Sequence, residues 1–321
     1  MALDLRDSVV VITGASSGIG RATALAFAAE GARLVLASRG REALADVERA
    51  CRERLADYQK NNADLQRAAD VLVVPADIGD PAAVDELTRA TLERFGRIDV
   101  WVEAAAVGIA GPLGSEPVDE LRRLVDTNVL GATLCARSAV TVFRAQGHGV
   151  LVLVGSLLSV FPNPVIPLYS MSKFAVRGLA LSLQQEVARH PRIRVCLLMP
   201  GTVDTPFFQR SANHSGRRLR AIPPAYAPER LAARILAVAR HPRRQTTVGV
   251  VSHLMLAAHR LAPRTAESVI GWWGGAFVTG SSAVPPGPGA IFEPLSRGAV
   301  HGGYRRGRVR RRLGTWLGSR T

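Results

Sequence analysis

The sequence Thr13-Gly14-Ala15-Ser16-Ser17-Gly18-Ile19-Gly20 follows a β-branched run at residues 8–12 and opens an alanine-rich stretch that extends to residue 30. This order predicts a strand, a glycine-rich turn and a helix. Such a turn lets the backbone approach a pyrophosphate, whose charge the following helix N-terminus stabilises. We therefore predict a dinucleotide site with cofactor contacts from Gly14, Ser16, Ser17, Gly18, Ile19 and Gly20. The alternative, a tight turn without a ligand, is disfavoured by a second predicted strand at residues 33–37.

The end of that second strand indicates which cofactor is bound. It carries Ser38 and Arg39. A site for NAD usually has Asp or Glu here to take the ribose 2′-OH, whereas a hydroxyl and a guanidinium suit a 2′-phosphate. The pair favours NADP over NAD. In a chain this rich in arginine, the alternative is that Arg39 is an ordinary surface residue.

Predicted strands and helices alternate along most of the chain. A charged helical stretch at 41–70, interrupted by Asn61-Asn62, is followed by strands at 71–74, 98–102, 150–154, 195–198 and 246–251, and by helices at 81–95, 118–146 and 228–240. This alternation is typical of an α/β fold with a doubly wound parallel sheet, the Rossmann fold. We predict one such domain over residues 1–255 and a C-terminal appendage over residues 256–321.

Asp77 and Ile78 follow the third predicted strand. Ligands of parallel sheets bind at the carboxyl ends of the strands, so Asp77 is predicted to face the adenine of the cofactor. A helix N-cap role for Asp77 or Asp80 is the alternative.

Tyr169 and Lys173 form a candidate acid/base pair, because residues four apart share a helix face. Of the 41 Lys and Arg residues only Lys60 and Lys173 are lysine, so a lysine at this spacing is unusual for the chain. A nearby cation favours the phenolate and can bring a tyrosine pKa toward neutral pH. A planar guanidinium cannot replace a compact ammonium in a tight site. The alternative is a solvated pair on a helix surface.

Further polar residues follow the fifth and sixth predicted strands. Gly155-Ser156 ends the fifth strand, and Pro200-Gly201 turns the chain after the sixth, ahead of Val203 and Thr205. These strand ends are expected to face one crevice with Tyr169.

Together these motifs resemble the short-chain dehydrogenase/reductase family over residues 5 to about 255. The resemblance implies an oxidoreductase in which Tyr169 is the general acid for carbonyl reduction, or base for alcohol oxidation. Lys173 would lower the pKa of Tyr169 and hold the nicotinamide ribose. The remaining implied roles are a hydrogen bond from Ser156 to the substrate oxygen, a water held by Asn128 that links Lys173 to solvent, and contacts of Val203 and Thr205 with the carboxamide. Ser159 is the alternative for Ser156, and the resemblance also implies a homo-oligomer.

One motif departs from that family. Where it usually has NNAG after the fourth strand, this chain has Glu103-Ala104-Ala105-Ala106. Glu103 places a carboxylate where an amide could both donate and accept, so it must be solvated, protonated or paired.

Two functions follow as expectations. The first is an NADP-dependent enzyme acting on a small-molecule ketone or secondary alcohol, hydrophobic to judge from Leu157, Leu158, Val160, Phe161, Phe207 and Phe208. Residues 207–224 would form a mobile cover over the substrate. The second is an inactive NADP-binding sensor or scaffold, which would have no reason to retain Lys173.

The composition of the chain indicates where the protein is located and whether it binds a metal. The chain has 321 residues, no basic and apolar leader, and no run of roughly 18 apolar residues that would span a membrane. Its three cysteines, Cys51, Cys135 and Cys196, are too few and scattered for a disulfide framework or a metal cluster. A cytoplasmic location and a site without metal are therefore expected.

The C-terminal appendage carries apolar stretches at 254–261 and 266–278, which include Trp272 and Trp273, a predicted unstructured linker at 285–289, and eight arginines after residue 296. These features suggest contact with an anionic membrane surface. A disordered basic end is the alternative, and nucleic acid is disfavoured because no base-stacking platform or reading motif accompanies the charge.

Overall fold

The computed structural model describes residues 3–61, 70–294 and 296–305. Within those residues the central sheet has seven parallel strands: β1 (Val9–Thr13), β2 (Arg33–Ser38), β3 (Val71–Pro75), β4 (Val100–Glu103), β5 (Gly149–Val154), β6 (Ile193–Pro200) and β7 (Gln245–Val248). Their spatial order is β3-β2-β1-β4-β5-β6-β7. The order reverses between β1 and β4, which confirms the doubly wound α/β fold predicted from the sequence.

The described residues form ten α-helices: α1 (Gly18–Ala28), α2 (Arg41–Lys60), α3 (Pro81–Phe95), α4 (Val118–Val125), α5 (Ala132–Gln146), α6 (Pro167–Glu186), α7 (Phe207–Arg210), α8 (Pro228–Arg240), α9 (Val250–Leu261) and α10 (Pro263–Val278). Six of them cover the two faces of the sheet. One core lies between the sheet and α1, α2 and α8, and the other between the sheet and α3, α5 and α6. Alternate residues of β1 enter the two cores, Val10 the first and Val11 the second. Strands apolar on both faces suit a sheet covered on both sides.

The register of the strands brings their carboxyl ends together. Thr13 at the end of β1 is paired with Glu103 at the end of β4, and Glu103 with Leu153 near the end of β5. Val154 is paired in turn with Leu198 in β6. Residues that follow these strands therefore meet along one edge of the sheet.

The helix α2 ends at Lys60, where the sequence predicted a break at Asn61-Asn62, and residues 62–69 of the predicted stretch lie outside the described residues. Two other predicted boundaries are wrong. The helix predicted over 118–146 is divided by a π-helical turn at Asp126–Gly131. The last strand ends at Val248 rather than 251, because Gly249 adopts a positive φ of 106° before α9 begins.

The predicted cover over the substrate is tied to the rest of the protein by short strands. Ala212–Asn213 pairs with Ile109–Ala110, and Arg217–Leu219 pairs with Thr279–Ala283. The segment predicted as an unstructured linker contacts the same region, since Gly287 exchanges two backbone hydrogen bonds with Asn213.

The C-terminal part of the chain begins with α9 and α10, so the predicted domain boundary at residue 255 falls inside α9. After the strand Thr279–Ala283 the chain returns across the carboxyl edge of the sheet. The basic end, predicted to be disordered, begins after residue 296; the structure describes it as far as residue 305, and residues 306–321 lie outside the described residues. No helix in the described part of the chain is long and apolar enough to cross a membrane.

Candidate active site

A cavity of about 580 Å³ opens at the carboxyl edge of the sheet. Its walls include almost every residue that the sequence predicts for the site: Gly14, Ser16, Ser17, Gly18, Ile19, Ser38, Arg39, Asp77, Ile78, Ser156, Tyr169, Lys173, Pro200, Gly201, Val203 and Thr205. The polar groups from distant parts of the sequence therefore meet in one place. Gly20 and Asn128 lie behind the wall.

The glycine-rich turn has the backbone that close approach of a ligand requires. Gly14 and Gly18 have φ values of 67° and 52°, in the left-handed region. A Cβ on Gly14 would lie 2.8 Å from the main chain of Ala105, and one on Gly18 would lie 3.1 Å from the methyl group of Thr205. Only glycine fits both positions without strain.

The end of β2 supplies a hydroxyl and a guanidinium to the cavity. The Ser38 Oγ is buried and has no hydrogen-bond partner among the described residues, although buried polar atoms are nearly always paired. Arg39 donates to the main-chain carbonyls of Ile291 and Phe292, at 2.8 Å each. Burial, with Arg123 nearby, lowers the pKa of Arg39.

Asp77 is not the N-cap of α3, because the side chain that accepts from the backbone there, from Ala82 N–H at 3.0 Å, belongs to Asp80. Asp77 Oδ1 accepts from Gly79 N–H at 3.1 Å, and Oδ2 pairs with Arg123 at 2.5 Å. Its carboxylate is therefore fixed at the wall where the adenine is predicted.

Tyr169 and Lys173 lie in the first two turns of α6, and both face the cavity. The Lys173 Nζ donates to the carbonyl of Val154 at 2.9 Å and lies 5.6 Å from the centre of the Tyr169 ring. Phe207 packs against the same ring, with centroids 4.8 Å apart. The phenol is thus held between a cation and an aromatic wall.

The direction of the tyrosine pKa differs from the expectation. Burial, reinforced by the nearby Glu103, raises the pKa of Tyr169, and burial lowers the pKa of Lys173 against the opposing attraction of Glu103. Desolvation penalises the charged form of each group. The sequence identified Lys173 as the partner of Tyr169, but it did not predict that burial of the phenol would raise its pKa.

Glu103 is 1% exposed, so it is not solvated. Its Oε1 accepts from Ala105 N–H at 2.9 Å. Burial raises the pKa of Glu103 to about 7, although the charge of Lys173 and the hydrogen bonds from Ala105 and Thr13 act in the opposite direction. The carboxyl group that replaces the expected amide is therefore partly protonated near neutral pH.

Ser156 and Ser159 occupy different positions. The Ser156 Oγ faces the cavity and accepts from Leu158 N–H at 3.1 Å, so its own proton remains available for another acceptor. The Ser159 Oγ donates to the carbonyl of Ser156 at 2.5 Å, is fully buried, and is not a cavity residue. The geometry favours Ser156.

Asn128 lies in the π-helical turn and is 1% exposed. Its Nδ2 donates to Val107 O at 2.9 Å and to Ser172 Oγ at 3.0 Å, while its Oδ1 accepts from Val107 N–H at 2.8 Å. Both side-chain donors are used within the protein. A water that links Lys173 to solvent would have to be held by another atom of Asn128.

Several cavity residues were not anticipated. They include Tyr226, Met255, Val269, Trp273 and Ala290. Most come from the C-terminal part of the chain. Its apolar stretches predict helices, but they do not indicate that these helices contribute side chains to the cavity.

The residues present fit a nicotinamide dinucleotide. Two left-handed glycines leave room beside the backbone, the hydroxyl of Ser38 has no partner in the part of the chain that the structure describes, and Arg39 provides a cation at the end of β2. Among the described residues no group of three His, Cys, Asp or Glu side chains could hold a metal ion.

Comparison with known proteins agrees with this geometry. The family model described as short chain dehydrogenase matches residues 8–216. The uncharacterized oxidoreductase YxnA of Bacillus subtilis (strain 168) is 32% identical over 271 residues, which are 83% of this chain and 72% of that protein.

Solved structures are also similar. An alcohol dehydrogenase from the archaeon Thermococcus sibiricus, complexed with 5-hydroxy-NADP, is 26% identical with a TM-score of 0.62, and the match covers 75% of this chain and 95% of that one. The L-sorbose reductase from Gluconobacter frateurii, complexed with NADPH and L-sorbose, is 26% identical with a TM-score of 0.64, covering 77% and 97%.

Proposed function

Because the chain belongs to the short-chain dehydrogenase/reductase family and is an NAD(P)-dependent oxidoreductase, we propose that it transfers a hydride between NADP(H) and a hydrophobic ketone or secondary alcohol. The observation that carries this proposal is the meeting of Ser156, Tyr169 and Lys173 in one cavity. The predicted alternative, a sensor without turnover, does not account for an acid/base pair kept at the reacting end of the site.

Tyr169 and Ser156 act on the oxygen of the reacting group. During reduction the Tyr169 Oη donates its proton to that oxygen while the Ser156 hydroxyl donates a hydrogen bond to it, and during oxidation the phenolate takes the proton back. When bound, the nicotinamide supplies the hydride to the carbonyl carbon or accepts it from the alcohol carbon. The Lys173 ammonium, positioned by its hydrogen bond to Val154 O, would favour the phenolate against the effect of burial and would bind the ribose hydroxyls.

The substrate end of the cavity supports a hydrophobic substrate. Its walls are mainly aliphatic and aromatic side chains: Leu157, Leu158, Phe161, Phe207, Phe208, Ile222, Met255, Val269 and Trp273. The test is NADPH oxidation with a panel of apolar ketones, and NADP reduction with the matching alcohols, compared with the Tyr169→Phe variant. Cofactor binding without turnover above that variant for any compound would favour the sensor.

Cofactor preference gives the first prediction. Replacing Ser38 by Asp should place a carboxylate where the 2′-phosphate is expected and offer an acceptor to a ribose 2′-OH. Gain or loss of a charge-assisted contact is worth roughly tenfold to a hundredfold in affinity, so the ratio of kcat/KM for NADPH over NADH should reverse. Ser38→Asn, similar in size but uncharged, is the control and should weaken the preference without reversing it. Equal kcat/KM with both cofactors in the unmodified enzyme would contradict the assignment.

Contact with an anionic membrane surface is also proposed, because α9 and α10 expose an unusual amount of apolar surface. The exposed side chains, with exposed fractions from 39% to 87%, are Val250, Val251, Leu254, Leu261, Val269, Trp272, Trp273 and Phe277. Six arginines follow at residues 306–321. A chain that combines exposed apolar side chains with a basic segment favours the interface of an anionic bilayer.

The second prediction tests this contact. Leu254→Ser combined with Trp272→Ser should reduce sedimentation with vesicles of phosphatidylglycerol and phosphatidylcholine at low salt several-fold. Leu113→Ser is the control, since Leu113 is 73% exposed and belongs to neither α9 nor α10. Equal binding of all three proteins, or binding to pure phosphatidylcholine alone, would count against the membrane proposal.

Assembly into a homo-oligomer and a cytoplasmic location stay predictions, and sedimentation velocity would test the first. The division into a catalytic domain of residues 1–255 and an extension of residues 256–321 also stays a prediction.

A further inference from the structure

The segment formed by residues 290–304, here named the C-terminal strap, runs across the dinucleotide end of the cavity. Its described residues contact the protein through main-chain groups at three successive points. At each point the strap contacts either a residue predicted to bind the cofactor or the residue next to one in the sequence.

The first contact is with Arg39. Its guanidinium donates to the carbonyls of Ile291 and Phe292 at 2.8 Å each and to Ala290 O at 3.1 Å. Arg123 donates to the same Ile291 carbonyl at 3.3 Å. The cation predicted to bind a 2′-phosphate is therefore already surrounded by acceptor oxygens.

The second contact is with the glycine-rich turn. The backbone N–H of Gly18 donates to Ala299 O at 2.8 Å, and Arg21 donates to Gly298 O at 2.7 Å. Gly18 begins α1, so its amide has no acceptor within the helix and is one of the N–H groups that a pyrophosphate would use. In this structure the Ala299 carbonyl oxygen accepts from that amide instead.

The third contact fixes the far end of the strap beside the predicted nicotinamide position. Asp204 is 2% exposed; its Oδ1 accepts from Tyr304 N–H at 2.9 Å, and its main-chain carbonyl accepts from Gly302 N–H at 3.1 Å. Asp204 lies between Val203 and Thr205, which were predicted to contact the cofactor. The strap therefore extends over the groove from the Arg39 end to the Asp204 end.

We infer that the C-terminal strap competes with the cofactor for the same groove. The strap must leave Arg39 and Gly18 before NADP(H) can bind. The inference rests on the proposed function, because it uses the same groove. A single backbone N–H serves one acceptor at a time, so the Gly18 amide cannot bind Ala299 and a pyrophosphate together. The apparent Kd for the cofactor is the intrinsic Kd divided by the fraction of molecules whose strap is undocked.

The strap itself provides a variant that tests this competition. A methyl group on Gly298 would overlap the carbonyl oxygen of Ser16, so Gly298→Ala blocks docking without altering any residue of the groove. Gly302→Ala would do the same at Thr205 O, and it serves as a second, independent variant. Gly287→Ala is the matched control, because a methyl group there meets nothing within 4 Å.

The experiment measures NADPH and NADH binding by fluorescence titration of the full-length proteins, with thermal unfolding in the absence of cofactor as a check on folding. We expect Gly298→Ala and Gly302→Ala to bind about tenfold more tightly than the parent, and Gly287→Ala to bind as the parent does. In hydrogen exchange, NADPH should increase exchange in residues 296–304 of the parent protein.

Two outcomes would overturn the inference in distinguishable ways. If all four proteins bind NADPH equally, or if NADPH protects residues 296–304, the strap does not compete and the proposed function stands. If neither the parent nor the undocked variants bind either cofactor, the proposed function fails and the inference fails with it.

Discussion

Replacing Tyr169 by Phe is expected to lower kcat for reduction of a ketone substrate by about 10² to 10⁴, because it removes the proton that the substrate oxygen must receive. Lys173→Arg should be similarly severe. The guanidinium keeps the charge, but its planar fork does not fit beside Val154 O, the Tyr169 ring and the ribose hydroxyls at once. Since the two residues act as a unit, the double variant should be little worse than either single one.

The chain contains a matched control for this substitution. Lys60 is the only other lysine, and its side chain is 77% exposed. Lys60→Arg should leave kcat/KM unchanged, and circular dichroism should show all variants folded. Near-normal kcat/KM in Lys173→Arg would refute the requirement for a compact ammonium.

Much of this fold follows from local sequence. The strands are short apolar runs, the glycine turn sits between a strand and a helix, and Tyr169 and Lys173 are four residues apart on one helix. These patterns depend on neighbours in the chain. The π-helical turn at Asp126–Gly131 does not, because the apolar spacing of a helix continues through it and the hydrogen bonds of Asn128 to Val107 and Ser172 are tertiary.

Two features of the site depend on residues that are far apart in the sequence and meet only in the folded protein. The raised pKa of Tyr169, a residue of helix α6, comes from desolvation and from Glu103, which lies at the end of strand β4. The strap reaches Arg39 from more than two hundred residues away and has no periodic pattern that could predict its destination. Main-chain carbonyl and N–H groups of the strap make these contacts, so its side-chain types carry no signal; only the glycines at 298 and 302 indicate close packing.

The pH dependence of alcohol oxidation should reflect the same environment. A phenol with a raised pKa is mostly protonated at neutral pH, so oxidative kcat/KM should increase with pH through the alkaline range, and Tyr169→Phe should abolish that increase. Glu103→Gln removes the neighbouring negative charge that helps to raise this pKa. The rising limb should therefore move to lower pH in that variant.

Glu103→Gln is also expected to change the free energy of unfolding in a pH-dependent way. The carboxyl has an ordinary pKa of 4.5 in the unfolded chain and one of about 7 in the folded protein, a value that already includes the attraction of Lys173. Below the lower value both states hold the proton. Between the two values the folded protein holds a proton that the unfolded chain has lost, so stability falls as pH rises.

Above the folded pKa this loss of folding stability is complete. At about 1.4 kcal/mol per pKa unit, the shift from 4.5 to about 7 lowers the free energy of unfolding by about 3 kcal/mol. Glutamine can still accept from Ala105 N–H and has no charge to bury, so its advantage over glutamate should grow by that amount as pH rises from about 4.5 to above 7. Urea denaturation across this range measures it, with exposed Glu53→Gln as the control for loss of one carboxylate. A stability difference between Glu103→Gln and the parent that stays constant with pH would mean that Glu103 is ionised throughout, held by Lys173 more strongly than burial opposes it.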